Sequence, residues 1–349
     1  METEIIKIDR KNIDIEKIKY AAGVINSGGI VVFPTETVYG LGANGLNEEA
    51  VRKVFIAKGR PQDNPLILHI SHKDELSRLV KKIPPDAHKL MTEFWPGPLT
   101  LIFEKSGIVP KVITAGLDTV AIRMPRDPIA NMLIRESRVP IAAPSANISG
   151  KPSGTDARHV IEDLKGKVDV ILDAGDSEVG LESTVLDITV QPPVLLRPGG
   201  VTIEALERVA GRIIIDKAMG KLSSNEIPRS PGMKYRHYSP DADVYVINGE
   251  LDKVVSKINE ILAVNNGKGI KTGVLATDQT MCKYVVENIL SMGDRNCPET
   301  IARNLFRLLR EMDERHVDVI LVEAVDSKGI GFAVMNRLKK ASGQKIVNV

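Results

Sequence analysis

The sequence predicts an α/β protein of two domains joined by a linker. The chain has 349 residues, which is longer than one typical domain of about 150 residues. From Ala242 onward, strand-like apolar runs alternate with helical patterns, as in a mostly parallel sheet covered on both faces. Residues 216–241 have no hydrophobic period and contain several prolines, which is typical of a linker. We therefore place the domains at residues 1–215 and 242–349.

The first domain combines short apolar strands with helices whose ends are marked by caps and breakers. Ile13–Ser27 has helical spacing of its apolar residues, and Gly28-Gly29 stops this helix. Asn47 is placed to cap a helix from Glu48 to about Lys58. Asp127-Pro128 opens another helix as N-cap and first-turn proline. Strands are predicted over residues 4–9, 30–33, 66–70, 99–103, 119–123, 140–143, 168–173, 183–188 and 194–196.

The second domain shows the same two periods in strict alternation. Its predicted strands cover residues 244–247, 271–276, 289–292, 317–323 and 345–347. Its predicted helices cover residues 251–264, 280–288, 299–314 and 333–342. The pattern predicts a small parallel α/β domain but carries no chemical motif of its own.

Bulk composition excludes several classes of protein. A formal net charge of +2 is too small for bulk nucleic-acid binding, although a local basic patch stays possible. Cys282 and Cys297 match neither a zinc ribbon nor a redox pair in spacing, and few cysteines suit a reducing compartment. No apolar run approaches the roughly 20 residues of a membrane helix, and the acidic N-terminus lacks an apolar signal core. We therefore expect a cytoplasmic protein without a membrane partner.

The stretch from Pro34 to Ile70 carries the strongest signal for a functional site. Its polar and glycine-rich residues lie between two apolar strands, and loops held by rigid strands often carry chemistry. Lys58 and Arg60 place two cations where a helix ends, and Asn64 adds a polar group near the next strand. A solvated helix end, whose dipole favours cations, is the alternative. The neighbouring polar groups favour a site.

Nucleotide-binding motifs are absent in their usual form. Gly40 to Gly45 fits the dinucleotide fingerprint by letter, but the polar run Pro34–Tyr39 separates it from its strand, and the helix begins only after Asn47. We expect these glycines to let the backbone pack closely in a loop. No phosphate-binding loop of the Gly-x-x-x-x-Gly-Lys type exists, so any ATP is bound in another way.

Polar residues also follow several strands of the first domain. The loop Pro144–Thr155 is dense in hydroxyls and glycine, and it predicts either a phosphate cradle or a plain surface turn. Arg123 closes a strand and could pair with a carboxylate, a phosphate or a surface acid. No cluster of histidine, cysteine and acidic residues has metal-ligand spacing.

Six motifs occur in order over about 200 residues: Pro34–Leu41, Lys58–Pro61, Asn64–Leu66, Phe94–Thr100, Pro144–Asn147 and Leu196–Gly199. Together they resemble the threonylcarbamoyl-AMP synthases, the YrdC-like family. The linker and second domain resemble the longer, two-domain type of that family. The resemblance implies a YrdC-like twisted mixed sheet flanked by helices, followed by a smaller Rossmann-like parallel domain.

The resemblance also implies an activity. The family condenses L-threonine, bicarbonate or CO2, and ATP to threonylcarbamoyl-AMP and pyrophosphate, with Mg2+ on the ATP phosphates. A separate tRNA threonylcarbamoyl-transferase complex uses the product to form threonylcarbamoyladenosine in tRNA, and weak tRNA binding by the chain is possible. Few clustered carboxylates suggest that ATP, more than the protein, holds the metal.

The resemblance assigns roles to residues in both halves of the expected site. Lys58 and Arg60 are the expected catalytic residues. The expected ATP-binding residues are Lys58, Arg60, Asn64, Thr119, Ser145, Asn147, Ser153, Arg197 and Tyr235. The expected threonine-binding residues are Thr35, His69, Arg123, Ala143 and Ser183.

The linker and two rival functions complete the expectations. Tyr235, Arg236 and His237 could close over the nucleotide as a lid, because they form a basic, aromatic peptide beside the catalytic domain. One rival is a protein that binds double-stranded RNA or acts in ribosome maturation, since similar domains are described so. The other, carbamoyl transfer in hydrogenase maturation, does not fit a chain with two cysteines.

Overall fold

The computed structural model of the chain describes residues 2–216, 228–231, 234 and 238–349. The chain divides into two compact units. The first comprises Met1–Ser149, Ser153–Glu178 and Glu182–Tyr235; the second comprises Gly150–Pro152, Val179–Leu181 and Arg236–Val349. The domain limits proposed from the sequence stay predictions, as does the role of the linker.

An extended mixed sheet forms the centre of the first unit. Its strands are β1 (Glu4–Lys7), β2 (Val31–Phe33), β3 (Gly40–Asn44), β4 (Ile67–His69), β5 (Leu99–Glu104), β6 (Thr119–Arg123), β7 (Ile141–Ala142), β8 (Val170–Asp173), β9 (Thr184–Asp187), β10 (Val194–Arg197) and β11 (Ile214–Ile215). Their order across the sheet is β1-β8-β2-β3-β7-β4-β6-β5-β9-β10-β11. Both parallel and antiparallel pairs occur, as the mixed-sheet prediction requires.

Helices of the first unit begin largely where the sequence predicts. The α-helices are α1 (Ile15–Asn26), α2 (Glu48–Lys58), α3 (Leu76–Leu79), α4 (Pro85–Phe94), α5 (Lys111–Thr114), α6 (Pro128–Ser137), α7 (Ala157–Leu164) and α8 (Ile203–Ala210). Asn47 caps α2 by accepting hydrogen bonds from two backbone N–H groups, and Asp127 does the same for α6. Both N-cap predictions are therefore confirmed.

The sheet has a core on each face because successive strand residues point to opposite sides. Val31 and Phe33 pack on one face with residues of α1 and α6. Val32, between them, packs on the other face with residues of α2 and α7. Burial on both faces explains why these strands read as continuous apolar runs.

The second unit is a smaller α/β layer structure. Its strands are β12 (Asp243–Asn248), β13 (Thr272–Ala276), β14 (Asn288–Ser291), β15 (Val319–Glu323) and β16 (Ile346–Asn348). Its α-helices are α9 (Leu251–Gly267), α10 (Pro298–Glu314) and α11 (Gly331–Ala341). The strands pair only in parallel, in the order β14-β13-β15-β12-β16. The prediction of a parallel α/β domain is confirmed.

Two local predictions are wrong. The helix expected over residues 280–288 is a single 3-10 turn at Met281–Lys283, because the hydroxyls of Thr280 and Tyr284 bond to buried Glu323 instead. The glycines from Gly40 onward belong to strand β3 and not to a loop. Their close packing is real: a Cβ on Gly42 would lie 2.6 Å from Ile141 Cγ2.

Among the residues that the structure describes, no helix is long and apolar enough to cross a membrane.

Candidate active site

A row of buried polar side chains crosses the sheet of the first unit. His69, Arg123 and Thr100 are register neighbours on β4, β6 and β5, so their side chains share one face. The row continues through Ser183, whose Oγ lies 2.7 Å from Thr100 Oγ1. Arg197 Nη2 then donates to the same Ser183 oxygen at 3.2 Å. Residues far apart in sequence are thus joined into one polar surface inside an apolar fold.

Arg123 is held by three groups at once. Its Nε donates to the Gly97 carbonyl at 3.2 Å, and its Nη1 donates to Thr37 Oγ1 at 2.9 Å. Its Nη2 lies 2.8 Å from Glu36 Oε1 in an ion pair whose side chains are 5% and 2% exposed. Burial by itself raises the pKa of Glu36, but the Arg123 charge and further hydrogen bonds hold that pKa below its ordinary value. The pair is therefore ionised and fixed.

His69 is neutral in this setting. Burial, helped by the nearby Arg123 charge, lowers the pKa of His69 to about 3. Its ring meets Phe33 edge-on with centroids 6.4 Å apart. Its Nδ1 is buried and has no hydrogen-bond partner among the described residues. A buried nitrogen without a partner is costly, and a bound ligand with a hydroxyl could supply the missing bond.

The turn after β2 is closed by its own hydroxyl groups. Thr35 Oγ1 donates to the Val38 carbonyl at 2.6 Å and lies 2.8 Å from Thr37 Oγ1. Thr35 is buried, 2% exposed. Ala143, predicted with it, is buried at the end of β7 and its N–H donates to the Ile67 carbonyl at 3.0 Å. Thr35 therefore lies in the turn after β2, and Ala143 lies beside β4, the strand that carries His69.

Lys58 joins helix α2 to the loop after β7. Gly59 ends the helix in the left-handed conformation at φ 62°, which glycine adopts without strain. The Lys58 ammonium then turns inward and donates to the carbonyl oxygens of Ser145 and Asn147, each at 2.5 Å. Lys58 is 1% exposed, so the alternative of a solvated helix end is wrong for this residue.

Arg60 and Asn64 form the next turn. Arg60 Nη2 donates to the Pro65 carbonyl at 3.0 Å, and Nε donates to the Asn64 carbonyl at 3.3 Å. Asn64 is 1% exposed, and its Oδ1 lacks a hydrogen-bond partner within the described part of the chain. This amide is therefore a second buried group that a ligand could satisfy.

The loop after β7 is built from hydroxyl and amide contacts. Ser145 Oγ donates to Asn147 Oδ1 at 2.6 Å, and Ser145 pairs as a bridge with Gly40, the first residue of β3. Ser153 Oγ donates to Glu182 Oε1 at 2.6 Å. The loop is thus fixed to the sheet and is not a plain surface turn, the second of the two alternatives drawn from the sequence.

Two predicted residues stand apart from this arrangement. Thr119 begins β6, opposite Glu104, and shares a face with Arg123 at the far end of that strand. The two are separated by roughly 13 Å at about 3.3 Å per residue. Tyr235 lies outside the described residues, as do Arg236 and His237.

Sequence reasoning missed Glu36, Thr37 and Thr100. Glu36 and Thr37 were visible only as letters of a motif, and Thr100 only as one polar residue within an apolar strand. An acidic residue in a stretch that folds as core is the one signal that could have drawn attention to Glu36, since buried carboxylates need partners. The partner itself could not be found without the register of β6.

Carboxylates near the row are already engaged. Glu36 faces Arg123, and Glu182 accepts from Ser153. Within the described ranges there is no group of three or more histidine, cysteine or acidic side chains that could hold a metal ion. The donor set instead offers cations, hydroxyls and amides, which suit anionic ligands such as phosphate and carboxylate.

Comparison with known proteins gives the class. A family model described as "Telomere recombination" matches residues 23–199, and one described as "Threonylcarbamoyl-AMP synthase, C-terminal domain" matches residues 201–343. The threonylcarbamoyl-AMP synthase of Pyrococcus abyssi is 54% identical over 348 residues, covering 99% of this chain and all of that protein. The Bacillus subtilis enzyme of the same name is 47% identical over 95% of this chain and 94% of its own.

A solved structure points to the same class of protein. The crystal structure of P. abyssi Sua5 complexed with L-threonine matches the whole chain with a TM-score of 0.94 at 52% identity, covering 100% of both chains. Fold and site therefore define an α/β enzyme of two units. The chain belongs to the threonylcarbamoyl-AMP synthase family.

Proposed function

We propose that the chain condenses L-threonine, bicarbonate or CO2, and ATP into threonylcarbamoyl-AMP and pyrophosphate. One observation carries the proposal: the turn with Lys58, Arg60 and Asn64 and the row with Arg123, His69 and Thr100 each contain a buried atom without a hydrogen-bond partner among the described residues, Asn64 Oδ1 and His69 Nδ1. The cations of the turn suit a triphosphate, Asn64 Oδ1 can accept from a ligand N–H or O–H, and the row suits an amino acid. The name of the relatives, at 54% and 47% identity, supports the same reaction.

The chemistry needs cations and positioning more than acid–base catalysis. The threonine amine captures CO2 and loses a proton, giving a carbamate. A carbamate oxygen then forms a bond to the α-phosphorus, and the bond to pyrophosphate breaks. Lys58, Arg60 and Arg197 supply positive charge for the phosphoryl oxygens as their charge grows. The same cations hold ATP in line for attack.

The polar row is the proposed amino-acid half. In this proposal Arg123 and Ser183 bind the threonine carboxylate, and Thr35 with His69 bind its hydroxyl. Because His69 is neutral and its Nδ1 lacks a partner, it can accept that hydroxyl hydrogen. A site that pairs a substrate hydroxyl rejects analogues without one. Ala143 would pack against the same ligand from β7.

The remaining expected contacts belong to ATP. Ser145 and Asn147 offer hydroxyl and amide groups beside Lys58. Asn64 offers an amide beside Arg60, Ser153 offers a hydroxyl beside Glu182, and Thr119 and Tyr235 stay sequence predictions. Mg2+ would be held by the ATP phosphates, since the nearby protein carboxylates are engaged with Arg123 and Ser153. Bound there, it would neutralise phosphate charge.

The end of the linker offers support for the lid. Lys234 Nζ lies 2.7 Å from Asp63 Oδ2, in the turn between Arg60 and Asn64. Arg197 Nη1 donates to the Pro231 carbonyl at 3.4 Å. Described linker residues thus contact the turn and the arginine that we assign to ATP. Closure there would keep water from a hydrolysable adenylate.

Two arms of one experiment test the function against its rival. We expect the full chain with ATP, bicarbonate and Mg2+ to release pyrophosphate only when L-threonine is added, with no RNA present. L-serine, which lacks the methyl group, is the control for the pocket. An RNA-binding protein would bind RNA yet release no threonine-dependent pyrophosphate. The product would pass to a separate transferase that modifies tRNA, and direct tRNA contact would be weak.

A further inference from the structure

Glu36 is the carboxylate that faces Arg123 inside the first unit. Its Oε1 lies 2.8 Å from Arg123 Nη2, and both side chains are almost completely buried. We propose that Glu36 is a positioning residue, which holds the Arg123 guanidinium in the orientation that receives the carboxylate of the amino-acid substrate. This inference rests on the substrate role given to Arg123 above.

The three contacts of Arg123 fix the plane of its guanidinium. Gly97 holds Nε, Thr37 holds Nη1 and Glu36 faces Nη2. Two hydrogen bonds and one ion pair restrain the orientation of this planar group, which is the property that geometric recognition of a carboxylate needs. Among these partners only Glu36 carries a charge, so it supplies the electrostatic part of the restraint.

Glu36 is itself anchored at a second point. Its Oε2 accepts from the Asp127 backbone N–H at 3.4 Å, at the N-terminus of α6. The adjoining Thr35 and Thr37 hydroxyls close the turn that carries it. Glu36 therefore ties the turn after β2, the end of β6 and the start of α6 to one point. A carboxylate that moved could not hold the Arg123 guanidinium in one orientation.

Removing only the charge of Glu36 separates positioning from packing. Glu36→Gln keeps the size of the side chain and one of its oxygens. It leaves the buried Arg123 guanidinium without a counter-charge, which is energetically costly. The guanidinium then turns toward another anion or toward water. A substrate carboxylate meets it in the wrong orientation, and only the amino-acid half of the site should be affected.

Asp127 provides a matched control. It is as buried as Glu36, 3% exposed in both cases, and it pairs with Arg10 at 2.5 Å. Its carboxylate caps α6 through Ile129 N–H and Ala130 N–H and makes no described contact with Arg123. Asp127→Asn therefore removes a buried charge from the same region, keeps a good N-cap and leaves in place the backbone N–H that donates to Glu36.

The experiment measures steady-state pyrophosphate release by full-length variants, with threonine binding followed by calorimetry and folding by thermal unfolding. We expect Glu36→Gln to raise the KM for threonine by at least about tenfold and to leave the KM for ATP within about twofold. Asp127→Asn should change neither constant by more than about twofold, even where it lowers Tm.

Two outcomes would overturn the inference: an unchanged threonine KM in Glu36→Gln, or an equal rise in Asp127→Asn. If Glu36→Gln does not fold, Glu36→Asp keeps the charge at a shorter reach, and an unchanged threonine KM there also overturns it. Failure of the proposed function is distinct, because the wild-type chain would then release no threonine-dependent pyrophosphate.

Discussion

Lys58 and Asn147 lie 89 positions apart, yet the Lys58 ammonium donates to the Asn147 carbonyl at 2.5 Å and approaches its Oδ1 at 3.3 Å. The contact joins the end of α2 to the loop after β7. It also leaves a buried cation beside Ser145, whose Oγ bonds to the same amide. A single side chain thus sets both the shape and the charge of the proposed phosphate pocket.

Lys58→Met should abolish most of the activity, because the change keeps the apolar stem and removes the cation. We expect pyrophosphate release to fall by about 100-fold or more, as for loss of one transition-state charge contact. Lys53→Met on the same helix is the control, since Lys53 is exposed and donates to the Gly28 carbonyl on the helix surface. Retention of about one tenth or more of the wild-type activity in Lys58→Met would contradict the assignment.

Arg123→Ala should weaken threonine binding and spare ATP. The change removes the group proposed to hold the substrate carboxylate, so the threonine KM should rise by about 10-fold to 100-fold. Arg126→Ala is the control, because Arg126 is half exposed and pairs with exposed Glu178. Titration calorimetry with threonine checks the effect, and an unchanged affinity would remove Arg123 from the substrate site.

The buried, neutral His69 predicts a loss of stability in mild acid. Its pKa is about 3 in the folded protein, below its ordinary value of 6.5, so below pH 6.5 the unfolded chain binds the extra proton. The free energy of unfolding should therefore fall as pH drops, by about 1.4 kcal/mol per unit and about 2 kcal/mol by pH 5. His69→Gln should flatten that slope in denaturant titrations at pH 7 and 5. An equal slope in the variant would mean that His69 is protonated in the fold.

Breaking the Lys234–Asp63 pair tests the lid. Asp63→Asn removes the anion that holds Lys234 at 2.7 Å, so closure over the nucleotide should weaken. We expect kcat to fall by about threefold to tenfold, with more adenylate lost to water, because lids exclude solvent from such intermediates. Lys82→Met, which breaks the exposed Lys82–Glu104 pair, is the control. Full activity and unchanged product yield in Asp63→Asn would count against a lid at this turn.

Glu323 is the position in the second unit where we expect a substitution to lower the stability most. This fully buried carboxylate accepts from Thr277, Thr280, Tyr284 and Arg295 at the end of β15. Glu323→Gln should lower the free energy of unfolding by about 2–3 kcal/mol, because it leaves the Arg295 charge and several donors unpaired. Chemical denaturation measures the change, with exposed Glu287→Gln as control. A loss no larger than in that control would show that the network is dispensable.

The elements that could be predicted from the sequence are those whose local signals, such as helix caps and hydrophobic periods, match the burial seen in the structure. The α2 and α6 caps at Asn47 and Asp127 were readable because capping is a short-range hydrogen bond. The parallel sheet of the second unit was readable from periods alone. The segment 280–288 is not the helix that its pattern predicts. Thr280 and Tyr284 donate their hydroxyls to Glu323, which lies 43 and 39 positions further along the chain, and a contact over that distance is not visible in a local pattern.

By itself, the sequence determined the α/β class and the residue types of the proposed site, since period, caps and motifs are local. Tertiary structure alone decided which of those residues meet. The pairing of β4, β6 and β5 sets His69, Arg123 and Thr100 side by side. The turn after β2 gives Arg123 its partner Glu36, and the loop after β7 buries Lys58 against Asn147. Burial and register depend on contacts between distant segments, and no local pattern encodes them.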